Sequence, residues 1–262
     1  LIIALFCLFS ISAISAADTN NADVAIAVDT DNGTFEEIQY GINNTPDGGV
    51  LNLENKRYVA VNNDKPIEIN KNITIDGHGA TLDANYKFKI MNISNSVSVN
   101  LNNLTFINGN VSGYYDEGGA IYNKGGSVTV NNSNFINIIN MGDTTSFGGA
   151  IYSNGGSLNV NNSNFINITS RGGNLVYGGV IYSENGGSIT VTNSNFINTT
   201  ARGVYTYGGA IYSKGSVTVT NSSFINTKVN GTLMGAGGAI FGSTGSNINV
   251  FGSTFINTTA LG

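Results

Sequence analysis

The acidic residues and the single histidine are the side chains of this 262-residue chain that could do acid–base chemistry. The sequence Asp76-Gly77-His78-Gly79 places a carboxylate two residues before the imidazole, and Asp83 follows soon after. Two such groups that flank one bond can cleave a glycoside by general acid and base catalysis. A polysaccharide-degrading enzyme with its site in this segment is therefore the first interpretation to weigh.

The other carboxylates do not add a second acidic motif. Asp116 and Glu117 are adjacent, but Asp143 and Glu184 are the only carboxylates in residues 118–262. A histidine between two glycines is also typical of a turn between strands, here NITI and ATL, and we favour this interpretation. The sequence shows no calcium nonapeptide, phosphate-binding loop or metal-ligand pair. We predict no catalytic residue, no cofactor and no metal site, and keep polysaccharide cleavage as an alternative.

A repeat of about 30 residues must position all of these groups. The motif GGAIY, or a close variant, recurs at residues 118–122, 148–152, 178–182, 208–212 and 237–241. The motif FIN begins at Phe106, Phe135, Phe165, Phe196, Phe224 and Phe255. Between them, apolar residues alternate with Thr or Asn, as in SVTVN, which is the period of a half-buried strand. Each repeat predicts strands at GGAIY, SVTVN and NFIN, and loops before each GG, as at residues 140–147 and 170–177.

Two columns of asparagine mark the ends of the NFIN strand. Three residues before each Phe lie Asn103, Asn132, Asn162, Asn193, Asn221 and Gly252. Asn and Gly best tolerate left-handed backbone, so this structural ladder is predicted to be a tight bend with positive φ. A second candidate ladder follows each FIN and consists of Asn108, Asn137, Asn167, Asn198, Asn226 and Asn257.

The strands and bends predict an all-β fold, a right-handed parallel β-helix with three strands in each coil. Glycine pairs and β-branched residues disfavour a helical repeat, and a propeller blade usually has a longer period. The β-helix is predicted over residues 50–262, with regular repeats from about residue 97, and is expected to continue beyond this sequence.

The segment 18–49 is predicted to contain a short capping helix. Thr34 and Glu37 match a capping box, and Phe35, Ile38 and Ile42 fall on one helical face. Such a helix would cover the open first coil, whose unpaired backbone would otherwise invite aggregation.

Residues 1–17 are an apolar run followed by small residues, which is typical of a secretory signal peptide. Ser15 and Ala17 suit the positions before a cleavage site, and the charged start of such a signal is missing, so we expect a front-truncated signal. The only cysteine, Cys7, lies in this segment, so the mature chain would have no disulfide. We predict a secreted protein, extracellular or at the cell surface, that meets a membrane only through this signal or an anchor further along.

The alternation of GGAIY and FIN resembles the GGAI and FxxN repeats of polymorphic outer-membrane proteins. It is still more similar to the adhesin-like parallel β-helix proteins of methanogenic archaea, although Asn here follows Phe by two residues rather than three. The segments FEEIQYGI, DGGVLNL and ITIDGHGATLD resemble the first coils of pectin-lyase-like proteins. GHG also occurs in some pectin-degrading hydrolases of that fold. The resemblance covers residues 97–262 most strongly and implies surface display, adhesion or a structural role in a cell wall, with no catalytic residue.

Aromatic residues in the predicted loops are the candidate ligand contacts. They are Tyr114, Tyr115, Phe147, Tyr177, Tyr205 and Tyr207. Stacked coils would align them along one edge, where they would meet glycans or proteins of another cell surface or of the cell wall; packing on their own coil is the alternative. The column Tyr122, Tyr152, Tyr182, Tyr212 and Phe241 is predicted to be structural, with its orientation left open.

Composition excludes one class of partner. Only 10% of the residues are charged and the net charge is −5, and no dense basic patch is present, which excludes electrostatic binding of nucleic acid. The predicted function is an adhesin-like or wall-associated structural protein. The alternatives are a polysaccharide lyase or hydrolase and an architectural spacer without a ligand.

Overall fold

A computed structural model describes residues 32–262, so the predicted signal peptide, residues 1–17, and Cys7 lie outside the described residues. The described chain is an all-parallel β-solenoid, which confirms the predicted parallel β-helix. Each strand pairs with the equivalent strand of the next coil, and equal motif positions meet: Phe135 lies opposite both Phe106 and Phe165.

Three sheets, here named A, B and C, correspond to the three predicted strands of each coil. Sheet B contains β1 Gly49–Asn52, β4 Ile73–Asp76, β7 Ser98–Asn102, β11 Ser127–Asn131, β15 Ser157–Asn161, β20 Ser188–Thr192, β24 Val217–Thr220 and β28 Ile248–Phe251. Sheet A contains β2 Arg57–Val59, β5 Thr81–Asp83, β8 Thr105–Ile107, β12 Asn134–Ile136, β16 Asn164–Ile166, β21 Asn195–Ile197, β25 Ser223–Ile225 and β29 Thr254–Ile256. Sheet C contains β3 Ile67–Ile69, β6 Met91–Ile93, β10 Ile121–Asn123, β14 Ile151–Asn154, β19 Ile181–Glu184, β23 Ile211–Ser213 and β27 Ile240–Gly242.

The interior of the coils is apolar and stacked in columns. Sheet B sends two aliphatic side chains inward from each regular strand, such as Val128 and Val130, while sheet A sends one Phe. The Phe rings of neighbouring coils lie parallel, with centroids 4.6 to 4.9 Å apart. This spacing is the distance between paired strands, so the rings stack without any distortion of the backbone ladder.

The first asparagine column adopts the predicted left-handed backbone, and the second column, which was predicted only as a ladder, adopts it as well. In the first column φ lies between 49° and 54° at the five asparagines and is 56° at Gly252. In the second column φ lies between 51° and 56°, and the side chains form a ladder in which, for example, Asn226 Nδ2 donates to Asn198 Oδ1 at 3.0 Å. The bends therefore follow from residue type, because few side chains other than Asn tolerate this region.

The predicted capping helix is confirmed as α1, Phe35–Asn44, with Thr34 Oγ1 accepting the Glu37 N–H at 3.2 Å. Its buried residues are Phe35, Ile38 and Ile42, as predicted. Gln39 then pairs with the open edge of β3: its Nε2 donates to Glu68 O at 3.1 Å, and its Oε1 accepts the Glu68 N–H at 2.8 Å. The side-chain amide thus replaces the missing neighbour strand of sheet C.

The segments predicted as loops before each GG are not loops, and that prediction was wrong. They form a fourth parallel sheet, D, which contains β9 Asn110–Glu117, β13 Ile139–Phe147, β17 Thr169–Gly172, β18 Leu175–Tyr177, β22 Thr200–Tyr207, β26 Lys228–Ala236 and β30 Thr259–Leu261. We name sheet D, with the turns within it, the fin. It connects sheet A to sheet C in each coil from residue 110 onward.

Each level of the fin folds back on itself. Asn140 in the outgoing arm donates through Nδ2 to Phe147 O at 3.2 Å and Gly148 O at 3.0 Å in the returning arm. At Gly142 a Cβ atom would lie 2.0 Å from Thr145 O, so only glycine allows the two arms to approach this closely. A loop that stacks on equivalent loops above and below gains a full set of parallel backbone pairings, which explains why it is regular.

Candidate functional site

The six aromatic residues predicted as ligand contacts all belong to the fin or its root, and they fall into two groups. Tyr114, Tyr115 and Tyr205 expose 63%, 61% and 36% of their surface. Tyr114 and Tyr115 lie on β9, the first strand of the fin, with their rings edge to face at 4.6 Å. These three side chains remain available to a partner.

The second group, Phe147, Tyr177 and Tyr207, packs on the protein itself. Each of these residues immediately precedes a GG pair, and its ring contacts the tyrosine column of sheet C. The ring centroids of Phe147 and Tyr152 lie 5.5 Å apart, and those of Tyr177 and Tyr182 lie 5.6 Å apart. The packing alternative considered for the aromatic residues therefore applies to these three.

The tyrosine column faces outward from the coils, which answers the question that the sequence left open. Tyr152 alternates with Ile151, whose side chain fills the coil interior, so the tyrosine must point the other way. It is nevertheless buried, because the fin aromatics cover it, and Tyr182 is fully buried in the same way. The two columns together form a second, separate aromatic core between sheet C and the root of the fin.

A carboxylate caps this aromatic core. Glu184 accepts hydrogen bonds from the phenols of Tyr152 and, at 2.8 Å, Tyr182, and its Oε2 lies 3.1 Å from Lys214 Nζ. Burial acts to raise the pKa of Glu184, but the hydrogen bonds from the two phenols and Lys214 outweigh it and hold the pKa below its usual value. Burial and the bonds to Glu184 raise the pKa of both tyrosines. The group holds the phenols neutral and suits a structural role more than proton transfer.

The front of the fin carries a second cluster of charges. Lys89 Nζ lies 3.9 Å from Glu117 Oε2 and 4.8 Å from the centre of the Tyr122 ring. Asp116 is only 3% exposed, and its Oδ2 has no hydrogen-bond partner. Burial raises the pKa of Asp116 to about 6, against the N–H of Gly113 and the charge of Lys89. We expect a half-paired carboxyl of this kind to make the stability of the fin depend on pH.

The carboxylates of the enzyme alternative lie in separate hydrogen-bond networks. Asp76 Oδ1 accepts the N–H of His78 at 3.1 Å and Nδ2 of Asn103 at 3.0 Å. These bonds hold the pKa of Asp76 below its usual value, the bond from Asn103 contributing most. His78 sits in a turn with φ 49°, as the turn interpretation predicts.

Asp83 lies one strand further along and is fully engaged. Its Oδ1 accepts the N–H of Asn85 at 2.8 Å and Nδ2 of Asn108 at 2.9 Å, and its Oδ2 pairs with Arg57. It thus forms the first rung of the second asparagine ladder. A shallow depression of about 290 Å³ lies nearby and is lined by His78, Asn103 and Asn132 among others.

Sequence reasoning missed Glu184 as a partner of the tyrosines and Asp116 as a buried acid. Glu184 occurs in one repeat only, so no recurring position in the aligned repeats pointed to it. Asp116 belongs to a segment that was interpreted as a loop. Within residues 32–262, no three His, Cys, Asp or Glu side chains come together as metal ligands would, and no helix is long and apolar enough to cross a membrane.

Comparison with known proteins identifies no relative of this chain. No family model, no curated protein and no solved structure matches the chain. The fold therefore stands on the repeat and on the structure itself.

Proposed function

We propose that the protein is a cell-surface, adhesin-like or wall-associated structural module: a stiff β-helical rod that carries a fin with exposed tyrosines. The observation that carries the proposal is that Tyr114, Tyr115 and Tyr205 are solvent-exposed on the fin. The strands of the fin pair in parallel with those of neighbouring coils and so give these side chains a rigid support. Aromatic side chains on a rigid support make contacts at little entropic cost, which suits recognition of a surface.

The resemblance and the apolar run at the front support the same role. GGAIY and FIN repeats are similar to those of adhesin-like β-helix proteins, and the apolar run of residues 1–17 suits secretion. The partner is then a glycan or protein of another cell surface or of the cell wall, and the protein acts outside the cell. The archaeal branch of such proteins is the family we favour.

Retention on cell walls tests the proposal. Labelled protein is incubated with washed cells or cell-wall fragments, and the bound fraction is measured after washing. The triple variant Tyr114→Ser, Tyr115→Ser, Tyr205→Ser should lose most of the binding. Tyr40→Ser is the matched control, because Tyr40 is also exposed, at 71%, but lies on α1. Retention that survives the triple change would rule out the fin as the contact, and no retention of the wild type would favour a spacer without a ligand.

Polysaccharide cleavage is the second candidate, and the depression beside His78 is the observation that favours it. His78 lines this depression and its Nε2 lies 3.9 Å from Asp76 Oδ2, so an imidazole and a carboxylate lie close together beside it. Incubation with pectin, alginate and host glycans, with and without calcium, measures new chain ends. Turnover that His78→Ala abolishes would replace the adhesin proposal by the enzyme.

A further inference from the structure

The outer face of sheet A presents a regular strip that none of the predicted contacts includes. It is formed by the outward side chains of residues 103–108, 132–137, 162–167, 193–198 and 221–226, and we name it the amide strip. Each level offers an Asn at both bends and, between them, a polar residue and an Ile. The levels repeat at the 4.6 to 4.8 Å spacing of the Phe rings behind them, so the strip is roughly 20 Å long.

Hydrogen bonds within the strip orient its amides in one direction. Asn195 Nδ2 donates to Asn164 Oδ1 at 2.8 Å, and Asn164 Nδ2 donates to Asn134 Oδ1 at 2.9 Å. A primary amide has two N–H donors and an oxygen with two lone pairs. An amide inside this ladder, such as Asn164, uses one donor and one lone pair, which leaves one donor and one lone pair free. These remaining groups repeat along the axis in fixed orientation.

A stripe of isoleucine separates the amide columns. Ile136, Ile166 and Ile197 lie opposite one another in successive coils and are half-buried, so one edge of each side chain meets solvent. A ligand on this strip would meet apolar contact along its centre and amides on both flanks.

The strip is also free of ionic side chains, since the five segments contain no Asp, Glu, Lys, Arg or His. The charges of the repeats lie elsewhere, as with Glu184 and Lys214 near sheet C and Asp143 on the fin. A charged polymer would lose the hydration of its ionic groups on this surface and would gain no ion pair in return. A neutral polymer has no ionic groups to dehydrate, so it does not incur this cost.

We propose that the amide strip binds an extended, neutral polysaccharide that lies along the axis of the solenoid. The apolar faces of its pyranose rings pack on the isoleucine stripe, and its hydroxyl groups, which both donate and accept, pair with the free donors and acceptors of the flanking amides. This inference rests on the proposed surface role and names its ligand class and a second contact surface, distinct from the fin tyrosines.

The test uses one isosteric change on each of two faces of the same coil. Asn164→Asp places a charge in the strip, and Asn159→Asp places the same charge at a half-buried outward position of β15 in sheet B. Binding to cellulose and chitin, as neutral probes, and to polygalacturonate, as an acidic probe, is measured by sedimentation. Urea unfolding of both variants excludes a loss of fold.

The wild type should bind a neutral probe, with an affinity that salt does not change, and should leave polygalacturonate unbound. Asn164→Asp should bind about tenfold more weakly, which corresponds to about 1.4 kcal/mol, while Asn159→Asp should bind as the wild type does. The proposal that the amide strip binds a neutral polysaccharide is overturned by equal binding of the two variants, by preference for the acidic probe, or by no binding to either neutral probe. If the wild type is retained on cell walls in any of these cases, the surface role stands without the strip; if nothing is retained, the proposed function itself fails.

Discussion

The coils and the fin share one 30-residue period but are stabilised differently. The coils enclose columns of Phe, Ile, Val and Leu, and Phe106, Phe135, Phe165, Phe196 and Phe224 are completely buried. The fin is only two arms thick. The interior of its N-terminal levels holds the polar residues Asp116, Asn140, Ser146 and Ser170. The later levels enclose a small apolar cluster of Val176, Ala201 and Val229.

The difference shows that stacking on neighbouring coils can order a segment that lacks a regular hydrophobic pattern. Backbone pairing with the coils above and below supplies the hydrogen bonds of the fin, and glycines such as Gly142 let its arms meet. The polar interior is incompletely satisfied, because Asp116 Oδ2, Asn140 Oδ1 and Thr206 Oγ1 have no partner. We therefore expect the coils to contribute most of the free energy of unfolding, and the fin to be less stable and to depend on the coils for its order.

Removal of a ring from the coil core should have the largest effect. Phe165 is fully buried between Phe135 and Phe196, at 4.6 and 4.8 Å. Phe165→Ala leaves a cavity that its β-sheet neighbours cannot close, so the free energy of unfolding should fall by about 3–5 kcal/mol. Urea unfolding followed by circular dichroism measures it.

Phe147→Ala is the matched change in the fin. This ring is half-buried and packs on Tyr152 and Tyr182, so its loss should cost about 1–2 kcal/mol. Equal losses in the two variants would contradict the view that the coils dominate.

The coils were predictable from the sequence because their signals are local. Alternation in segments such as SVTVN, the Phe column and the Asn bends each reflect a side chain that meets the same environment in every coil. The fin was not predictable in this way: residues 140–147 and 170–177 share little alternation, and their strands exist only because the neighbouring coil is present.

Part of the aromatic core could have been predicted. Phe147, Tyr177 and Tyr207 each stand immediately before the first Gly of a GG pair, and this fixed position separates them from Tyr114, Tyr115 and Tyr205. Alternation with Ile151 and its equivalents likewise requires the tyrosine column to point outward. The role of Glu184 could not be predicted, since a residue that occurs once forms no column.

The buried acid of the fin should make the stability depend on pH. The pKa of Asp116 is raised by burial to about 6 in the folded protein, from a reference value of 3.8. The folded state therefore holds the proton more tightly, so the contribution to stability is complete below about pH 4 and is lost as pH rises through 6. Lys89, Glu117 and Asp143 are the charges that act on this group.

Asp116→Asn removes this titration with little change of shape. At pH 7 the variant should be more stable than the wild type by about 2 kcal/mol, because a buried, half-paired charge is gone. At pH 3.5 the two proteins should be about equally stable. Urea midpoints of both proteins between pH 3.5 and 7 measure the difference, which cancels the titration of Glu117 and the other groups. A constant difference across this range would show that Asp116 titrates normally.

A last effect concerns a bend of the coil, where residue type rather than packing sets the structure. Asn162 is exposed, has φ 49° and keeps its backbone N–H bonded to Thr192 O at 3.0 Å. Asn162→Val should cost about 1–2 kcal/mol, because a β-branched side chain is strained at positive φ. Asn162→Gly should cost less than half as much, since glycine adopts this conformation freely and Gly252 already occupies the same place in the last repeat. If valine and glycine had the same effect, the bend would owe its shape to the stacked coils on either side, as the fin does.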